Sequence, residues 1–191
     1  MHTHPPQAQG DDAAYSFCPK CGAALVSRQL KTGDPERRVC SACRFVFFLD
    51  PKVATGCIAE LRQGIILLRR SIEPGYGRWV FPGGYVDRGE RVEDAAVREM
   101  EEESRLRVQL TSLLGVYSYV GRPVVVIVYT GTVVDGRLEA ADESLEAACF
   151  VPDRIPWNEL AFSSTWDALA DYASGRHGVQ RPDPATRPKV F

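Results

Sequence analysis

Two groups of residues in this 191-residue chain have the types and spacing that metal chemistry requires. The first is a run of acidic residues at positions 98–103, which reads Arg-Glu-Met-Glu-Glu-Glu. The second is a set of four cysteines in two Cys-x-x-Cys pairs: Cys18, Cys21, Cys40 and Cys43. Carboxylate oxygens suit hard cations such as Mg²⁺ or Mn²⁺, whereas thiolates suit Zn²⁺. The sequence therefore predicts two metal sites of different chemistry.

The acidic run lies in a predicted helix, Val92 to Ser104, and the helical period determines where each carboxylate points. With Val92 at 0° and about 100° per residue, Glu99 and Glu103 fall near about 340° and about 20°. Glu102 lies at the edge of the same stripe, near about 280°. The stripe also carries the apolar residues that we expect to face the core: Ala95, Ala96 and Met100.

Unpaired carboxylates are costly to bury, so three of them on an inward stripe call for a positive partner. A divalent cation meets that need with one ion. The alternative is a solvated acidic face, which fits the outward residues but fits the inward three poorly. The outward residues are Glu93, Asp94 and Glu101.

The cysteine pairs have the spacing of a zinc ribbon, because 18 residues separate Cys21 from Cys40. Gly22 suits the tight turn after the first pair. Four thiolates fill all four tetrahedral positions, so this Zn²⁺ would be structural and not catalytic. A module this small has little core, and metal binding would largely hold it folded. The alternative interpretation is a redox pair.

The elements that must position these residues follow from hydrophobic periodicity and turn signals. We expect a loop from Glu73 to Gly89, interrupted by a short strand at 79–81. The helix at the carboxyl end, Ser164 to Ser174, has Gly175 just beyond it as a cap. The other predicted strands are Val53–Leu61, Ile65–Arg69 after a Gln63-Gly64 turn, Val108–Tyr119, Pro123–Val134 and Leu145–Val151. Strands combined with a central and a final helix indicate an α+β fold.

Composition and charge exclude several classes of protein. Hydrophobic residues make up 45% of the chain and charged residues 25%, which is typical of a globular protein. The net charge of −2 disfavours a general nucleic-acid binder. No apolar run approaches the roughly 18–20 residues that span a bilayer, and the first 15 residues carry no apolar signal segment. We therefore expect a cytoplasmic protein with no membrane partner.

Shifts in composition divide the chain into four predicted parts. We expect a disordered tail at residues 1–15, the zinc ribbon at 16–50, the main domain at 51–177 and a flexible tail at 178–191. Asp50-Pro51 follows a short apolar run and places the boundary between ribbon and main domain.

The residues around the acidic helix resemble the Nudix box. The match reads Gly84-x5-Glu90-x7-Arg98-Glu99-Met100-x-Glu102-Glu103, with the expected apolar residue at Leu106. One position departs from the pattern, because Arg105 stands where the box has a glycine that ends the helix. An arginine with positive φ there would cost about 1 kcal/mol or force a different exit from the helix.

The resemblance implies a Nudix α/β/α sandwich with a mixed sheet, preceded by the small zinc ribbon. A ribbon ahead of a Nudix domain resembles two groups, the NADH pyrophosphatases and the plastid-type ADP-ribose/FAD pyrophosphatases with their bacterial relatives. Three segments resemble the second group: 78–85, 143–146 and 155–164. The Ser-Gln-Pro-Trp-Pro-Phe-Pro array of the NADH group is missing after the box, where this chain reads Leu-Leu-Gly-Val-Tyr-Ser-Tyr-Val-Gly at 113–121.

The resemblance also implies an activity, the hydrolysis of a nucleoside diphosphate linked to another moiety. ADP-ribose would give AMP and ribose 5-phosphate, and FAD would give AMP and FMN. Glu99 and Glu103 would be the main Mg²⁺ or Mn²⁺ ligands, with Glu102 assisting and the Gly83 carbonyl as backbone ligand. Arg98 would tie the loop to the helix through Glu90. Relatives that act on ADP-ribose are often dimers, so a homodimer is a further expectation.

The remaining roles have several candidates each. Glu146 is the first candidate for the general base, placed in a loop, and Glu143 is the second. Three arginines could supply positive charge at the leaving group: Arg69, Arg70 and Arg78. Five rings could stack on the adenine or flavin: Phe48, Tyr76, Tyr117, Tyr119 and Phe162.

A second hypothesis is that the ribbon binds nucleic acid, while the main domain acts on capped RNA or senses a nucleotide. The ribbon is only modestly basic, because Asp34 and Glu36 offset its arginines. A purely sensing relative would be expected to lose box carboxylates, and all are present here. We therefore expect a small-molecule nucleotide substrate and no nucleic-acid partner.

Overall fold

The computed structural model describes residues 15–176. The chain divides after Pro51 into two compact units. The tails predicted at 1–15 and 178–191 lie outside the described residues, except for Tyr15. Within the described part of the chain, no helix is both long enough and apolar enough to cross a membrane.

The first unit is a three-stranded antiparallel sheet in the order β1-β2-β3. Its strands are β1 (Leu25–Gln29), β2 (Glu36–Cys40) and β3 (Val46–Phe47). The buried core is small: Cys18, Leu25 and Cys40, with Ala23, Phe45 and Phe47 packed against it. Two of the three core residues are cysteines, so apolar burial alone gives this unit little stability.

The second unit is built on a seven-stranded mixed sheet with the main order β10-β5-β4-β9-β8. Strands β4 and β9 are parallel, and the other neighbours are antiparallel. Short strands β6 and β7 pair with β5 and β4. The strands are β4 (Lys52–Leu61), β5 (Gly64–Arg70), β6 (Trp79–Val80), β7 (Gly83–Tyr85), β8 (Leu106–Tyr117), β9 (Val124–Gly136) and β10 (Ser144–Phe150).

Two helices cover the two faces of this sheet, and the alternation of side chains along β4 shows how. Cys57 and Ala59 pack with Met100 of α1 (Val92–Ser104). Ile58, which points to the opposite face, packs with Leu169 of α2 (Ser163–Ala173). Two 3₁₀ turns, Pro152–Arg154 and Trp157–Glu159, lead into α2. The fold is therefore the expected α/β/α sandwich with a mixed sheet.

The expected elements are present, and the structure adds to them. The predicted α1 is confirmed at both ends, and α2 is shifted by one residue. The segment 73–89, expected to be a loop with one short strand, contains a second strand, β7. The signal for β7 is weak because two of its three residues are glycines, which have low strand propensity. Only the partner strand β4 reveals it, since Gly83 pairs with Gly56 and Gly84 with Thr55.

The end of α1 resolves the question raised by Arg105. Its φ of 60° and ψ of 19° are left-handed, which is the conformation that the box glycine provides. The Arg105 N–H donates to the Glu101 carbonyl and closes the helix. The helix thus ends in the expected geometry with an arginine in a conformation that favours glycine. The Arg105 guanidinium lies 3.7 Å from Asp142, across an exposed ion pair.

Candidate active site

The site begins at Gly84, where the backbone of β7 passes against a carboxylate of α1. A Cβ atom built at Gly84 would lie 2.6 Å from the carboxyl group of Glu99. A side chain there would displace the Glu99 carboxylate, so glycine leaves that carboxylate in place against β7. At Gly83 a Cβ atom would meet the backbone of Thr55. Gly83 thus allows the backbones of β7 and β4 to lie close together, and Gly84 leaves room for a carboxylate of α1.

Arg98 joins the loop before α1 to the carboxylates on it. Its Nε donates to Glu90 Oε1 at 2.8 Å and its Nη2 donates to Glu90 Oε2 at 3.0 Å. Its Nη1 donates to Glu99 at 2.8 Å and to Glu102 at 2.9 Å. A further bond from Nη2 reaches the Tyr85 carbonyl at 3.2 Å. The expected contact between Arg98 and Glu90 is present, and the same guanidinium also orients two of the three inward carboxylates.

The pKa values of Glu90 and Glu99 shift in opposite directions, although both carboxylates accept hydrogen bonds from Arg98. The hydrogen bonds from Arg98 lower the pKa of Glu90, and those bonds raise the pKa of Arg98. Burial raises the pKa of Glu99, although the hydrogen bond from Arg98 opposes it. Glu99 is therefore a partly buried acid kept near its partner arginine, whereas Glu90 is stabilised as an anion.

Glu103 is the most perturbed carboxyl group of the site. Burial raises its pKa to about 7, against the opposing effect of the Gly83 N–H, which donates to Glu103 Oε2 at 2.9 Å. The neighbouring Glu99 raises it further. A buried carboxyl group with a raised pKa is a frequent mark of a functional site. Glu103 gains most from a nearby cation, because its charged form is the one that burial disfavours.

The helical wheel is confirmed for Glu99 and Glu103, which are half-buried, and for Asp94 and Glu101, which are exposed. It is wrong for two residues at the edges of the stripe: Glu102, expected inward, is exposed, and Glu93, expected outward, is half-buried. The three candidate ligands are not gathered on one point, however. Glu99 and Glu102 bond to Arg98, and Glu103 bonds to Gly83. The oxygen donors, the half-buried Glu103 and the close approach at Gly84 fit a divalent cation such as Mg²⁺ or Mn²⁺.

Comparison with known proteins follows the same two units. A model described as NUDIX domain matches residues 50–169, and a zinc-ribbon model described as Nudix N-terminal matches residues 16–48. The chain belongs to the Nudix family. It resembles the ADP-ribose pyrophosphatase of Methanocaldococcus jannaschii, with 37% identity over 139 residues, 71% of this chain and 80% of that protein. It is a Nudix pyrophosphohydrolase with an N-terminal zinc ribbon.

Two further relatives show the range of this likeness. The crystal structure of a NUDIX hydrolase from Nitrosomonas europaea matches with a TM-score of 0.79 and 30% identity, over 87% of this chain and 97% of that one. The NAD-capped RNA hydrolase NudC of Edwardsiella ictaluri is 33% identical over 97 residues, which are 50% of this chain and 35% of that protein. Nudix hydrolases act on small nucleotide substrates and generally use divalent metals.

The two general-base candidates, Glu143 and Glu146, lie on different parts of the chain fold. Glu146, which we expected in a loop, lies on β10 opposite Arg69. Its carboxylate lies 3.6 Å from Arg69 Nη1, and both side chains are about half exposed. Glu143 precedes β10 and is close enough for its charge to raise the pKa of Glu103. Glu143 therefore has an electrostatic effect on the Nudix helix, whereas Glu146 is paired with an arginine of the sheet.

The three candidate arginines are held by the loop between β5 and β6 and by the segment before α2. Arg69 Nε donates to the Gly77 carbonyl at 2.8 Å, and Arg70 Nε donates to the Pro74 carbonyl at 2.9 Å. Arg78 reaches the Asn158 carbonyl at 3.4 Å. Of these cations, Arg70 is the one whose charge lowers the pKa of Glu103. Arg70 also lies over the ring of Phe162, 5.1 Å from its centroid.

The five rings that could stack on the base differ in burial and in the residues that they contact. Tyr117 is buried and its hydroxyl donates to Asp171, so it is a core residue. The Tyr119 hydroxyl donates to Asp167 at 2.5 Å. Tyr76 is exposed on the loop after β5. Phe48 belongs to the ribbon, which leaves Phe162, beside Arg70, as the candidate ring with a link to the Nudix helix.

The cysteine cluster of the ribbon is assembled as a metal site. The four Sγ atoms of Cys18, Cys21, Cys40 and Cys43 all lie within 4.8 Å of one another. It is the only such group of three or more His, Cys, Asp or Glu side chains between residues 15 and 176. The backbone N–H of Cys43 lowers the pKa of Cys40 to about 6, which favours a thiolate. Four thiolates at this spacing fit tetrahedral Zn²⁺.

Proposed function

We propose that this Nudix enzyme hydrolyses the diphosphate of ADP-ribose and, as the next candidate, of FAD, releasing AMP. The observation that carries the proposal is the approach of β7, at Gly84, to Glu99 and the half-buried Glu103 in the second half of the Nudix helix. The choice of ADP-ribose is supported by the likeness to the M. jannaschii ADP-ribose pyrophosphatase. Water adds to one phosphorus, and the anhydride bond breaks to give AMP and ribose 5-phosphate.

The proposed Mg²⁺ or Mn²⁺ ligands are Glu99, Glu103, Glu102 and the carbonyl of Gly83. A bound divalent cation would neutralise the diphosphate and lower the pKa of a water molecule. Glu103 would contribute the charge that burial now disfavours. Cation binding would draw Glu99 and Glu102 away from the shared Nη1 of Arg98, while Glu90 keeps Arg98 in place through Nε and Nη2.

Two carboxylates, Glu143 and Glu146, are candidates for the general base that accepts the proton of the attacking water. Glu146 forms a half-exposed ion pair with Arg69. The charge of Glu143 raises the pKa of Glu103, one of the proposed cation ligands. We therefore propose Glu143 ahead of Glu146 as general base. The expected result is a loss of kcat in Glu143→Gln that exceeds the loss in Glu146→Gln.

Positive charge on the substrate side is assigned to Arg70. The Pro74 carbonyl and the Phe162 ring hold its guanidinium, and its charge reaches Glu103. A guanidinium in this position is suited to a phosphate oxygen of the diphosphate, because it presents several N–H donors in one plane. Phe162 is the proposed support for Arg70, and neither residue is a ligand of the metal.

A second candidate function is the hydrolysis of NADH or of an NAD cap on RNA. It is favoured by the likeness to the NudC protein of E. ictaluri over half of this chain and by the zinc ribbon. The missing aromatic-proline array at 113–121 speaks against NADH. We rank this candidate second.

A substrate panel tests the assignment. The purified full-length chain is assayed with Mg²⁺ and with Mn²⁺ on ADP-ribose, FAD, NADH, NAD⁺, coenzyme A and NAD-capped RNA, and kcat/KM and products are measured. We expect the highest kcat/KM for ADP-ribose, with AMP as product. A lead for NADH or capped RNA would move the assignment to the second candidate. The Glu103→Gln variant is the control for a contaminating hydrolase.

A further inference from the structure

Two arginines of the ribbon lie side by side on one face of its sheet. Arg28 of β1 and Arg37 of β2 are directly opposite partners in the antiparallel register. Side chains directly opposite each other in a sheet point to the same face and lie a few ångströms apart. Like charges in this arrangement destabilise a strand pair. A small sheet with so little core gains nothing in stability from such a pair, so it calls for another explanation.

The fold removes the acidic residues that could compensate this pair. Glu36 alternates with Arg37 along β2, so it points to the opposite face, where its carboxylate accepts a hydrogen bond from Ser27 at 2.5 Å. None of the ion pairs within residues 15–176 involves Arg28 or Arg37. The negative charge of Glu36, which is next to Arg37 in the sequence, therefore does not offset the two arginines on this face.

An exposed aromatic ring completes the face. Phe48 follows β3, and the Arg37 guanidinium lies 5.5 Å from the centroid of its ring. The Phe48 side chain is 55% exposed, so its ring is accessible to a ligand. A ring beside two guanidiniums offers a stacking surface and two phosphate-binding groups at once.

The charge of the whole unit has the same sign as this face. Residues 15–51 contain six Lys or Arg and three Asp or Glu, although the whole chain has a net charge of −2. Phe17 and Tyr15, at 71% and 46% exposed, add two accessible rings to the same unit. Positive charge with exposed rings is the surface that binds single-stranded nucleic acid, where phosphates meet cations and bases stack on aromatic side chains.

We propose that the face formed by Arg28, Arg37 and Phe48 binds single-stranded nucleic acid, with phosphates on the two arginines and a base on the phenylalanine. The ribbon would then have a ligand in addition to the Zn²⁺ that its four cysteines fit. The face is formed by residues of the first unit, and the proposal does not depend on which nucleotide the Nudix domain hydrolyses.

The test is fluorescence anisotropy of the full-length, zinc-loaded chain with a labelled oligouridine of about twelve nucleotides. Affinity is measured between about 50 mM and about 200 mM salt, since each phosphate contact on a single strand adds about 0.7 to the slope of log affinity against log salt. We expect binding by the wild type. We expect the double variant Arg28→Gln/Arg37→Gln to bind at least tenfold more weakly at low salt, with a slope reduced by about 1.4.

Phe48→Ala separates stacking from charge. We expect it to weaken binding by about 5-fold to 100-fold while the salt slope stays unchanged, because a base loses its ring but no phosphate loses its partner. The matched control is Arg122→Gln/Arg154→Gln, which removes two exposed arginines outside the ribbon and should bind like the wild type. Zinc content equal to that of the wild type shows that each ribbon variant is folded.

Three results would overturn the proposal. The first is a wild-type chain that does not bind the oligouridine at about 50 mM salt. The second is binding that the double variant and Phe48→Ala leave unchanged. The third is displacement of the oligouridine by AMP at equal phosphate concentration, which would make the face a mononucleotide site. None of these results affects the ADP-ribose assay, so the two proposals fail independently.

Discussion

The two proposed metal sites of this chain are organised in opposite ways. In the ribbon, four cysteine sulfurs lie within 4.8 Å of one another. In the Nudix domain, two of three candidate carboxylates are hydrogen-bonded to Arg98 and the third to Gly83. The ribbon has one cluster of three buried residues, whereas the Nudix domain packs separate apolar clusters on both faces of its sheet.

This difference reflects what each ion would do. A structural Zn²⁺ stabilises its fold best when every ligand is in place and no position is open. A catalytic cation must accept substrate oxygens, so its protein ligands need other partners when substrate and ion are exchanged. Arg98 is such a partner, because one guanidinium neutralises Glu99 and Glu102 while Glu90 holds it. Variants that separate stability from catalysis test this comparison.

The largest expected effect is the loss of the ribbon in Cys40→Ser. Structural zinc contributes about 10–16 kcal/mol of apparent binding free energy to small zinc modules, far more than the core of this unit can supply. We expect loss of bound zinc and rapid proteolysis within residues 16–50, while kcat/KM on ADP-ribose stays close to that of the wild type. Zinc content, limited proteolysis and activity are measured together.

The matched control for that experiment is Cys149→Ser, an exposed cysteine outside the ribbon, which should keep its zinc. Full zinc content in Cys40→Ser would contradict the four-cysteine site. A large loss of activity would instead show that the ribbon takes part in catalysis.

The next effect is on catalysis, in Glu103→Gln. Removing a charged ligand of the proposed cation is expected to lower kcat by about 10³-fold, which corresponds to about 4 kcal/mol of the activation barrier. The control is Glu101→Gln, on the exposed face of the same helix, which should retain its activity. Wild-type turnover in Glu103→Gln with an intact fold would show that this carboxylate is not a ligand.

The same variant is expected to stabilise the metal-free protein at pH 8. Burial raises the pKa of Glu103 in the folded state to about 7 from its ordinary value of 4.5. Its contribution to stability is therefore present below about pH 4.5 and is lost as the pH rises through about 7. Removing the charge should add on the order of 1 kcal/mol at pH 8. The measurement is the Tm without divalent ions at pH 5 and pH 8, and a lower Tm at pH 8 than the wild type would contradict the sign.

A smaller effect is expected in Gly84→Ala, which adds a methyl group 2.6 Å from the Glu99 carboxyl group. The carboxylate must move, and a displacement of about 1 Å can cost about 10²-fold in rate. We expect kcat/KM to fall by about tenfold to 100-fold. A double-mutant cycle with Glu99→Gln is the check, since the two losses should not add if both act through the same carboxylate. Additive losses would separate Gly84 from Glu99.

The smallest effect concerns the end of the Nudix helix. Arg105→Gly is expected to stabilise the domain by about 1 kcal/mol, because glycine adopts the left-handed conformation without the strain of a side chain. The Tm should rise by about 2–4 °C with unchanged kcat. The control Arg105→Ala keeps the strain and loses the contact with Asp142, so its Tm should not rise. A fall in Tm for Arg105→Gly would show that the ion pair outweighs the strain.

The sequence alone determined the local features whose signals are short in range. The α1 boundaries, the inward direction of Glu99 and Glu103 and the cysteine cluster all follow from spacing of a few residues along one helix or two turns. Such patterns are readable because the helical period and the tetrahedral zinc site leave few alternatives. The family followed from the same box residues.

The tertiary structure decided the features that depend on distant strands. β7 exists because Gly83 and Gly84 pair with Gly56 and Thr55 of β4, which no local signal indicates. Glu146 belongs to a strand paired with Arg69, whereas Glu143 acts on Glu103 from the segment just before that strand. Only two residues lie between these acids, and the sequence analysis placed Glu146 first.

The ribbon shows the same division. The sequence counts Glu36 against Arg37, because they are neighbours along the chain. In the sheet they point to opposite faces, and Arg37 instead lies opposite Arg28. Two charges offset each other when they are close in space, whatever their separation along the sequence. Only the pairing of β1 with β2 therefore shows that the face with Arg28 and Arg37 remains positive.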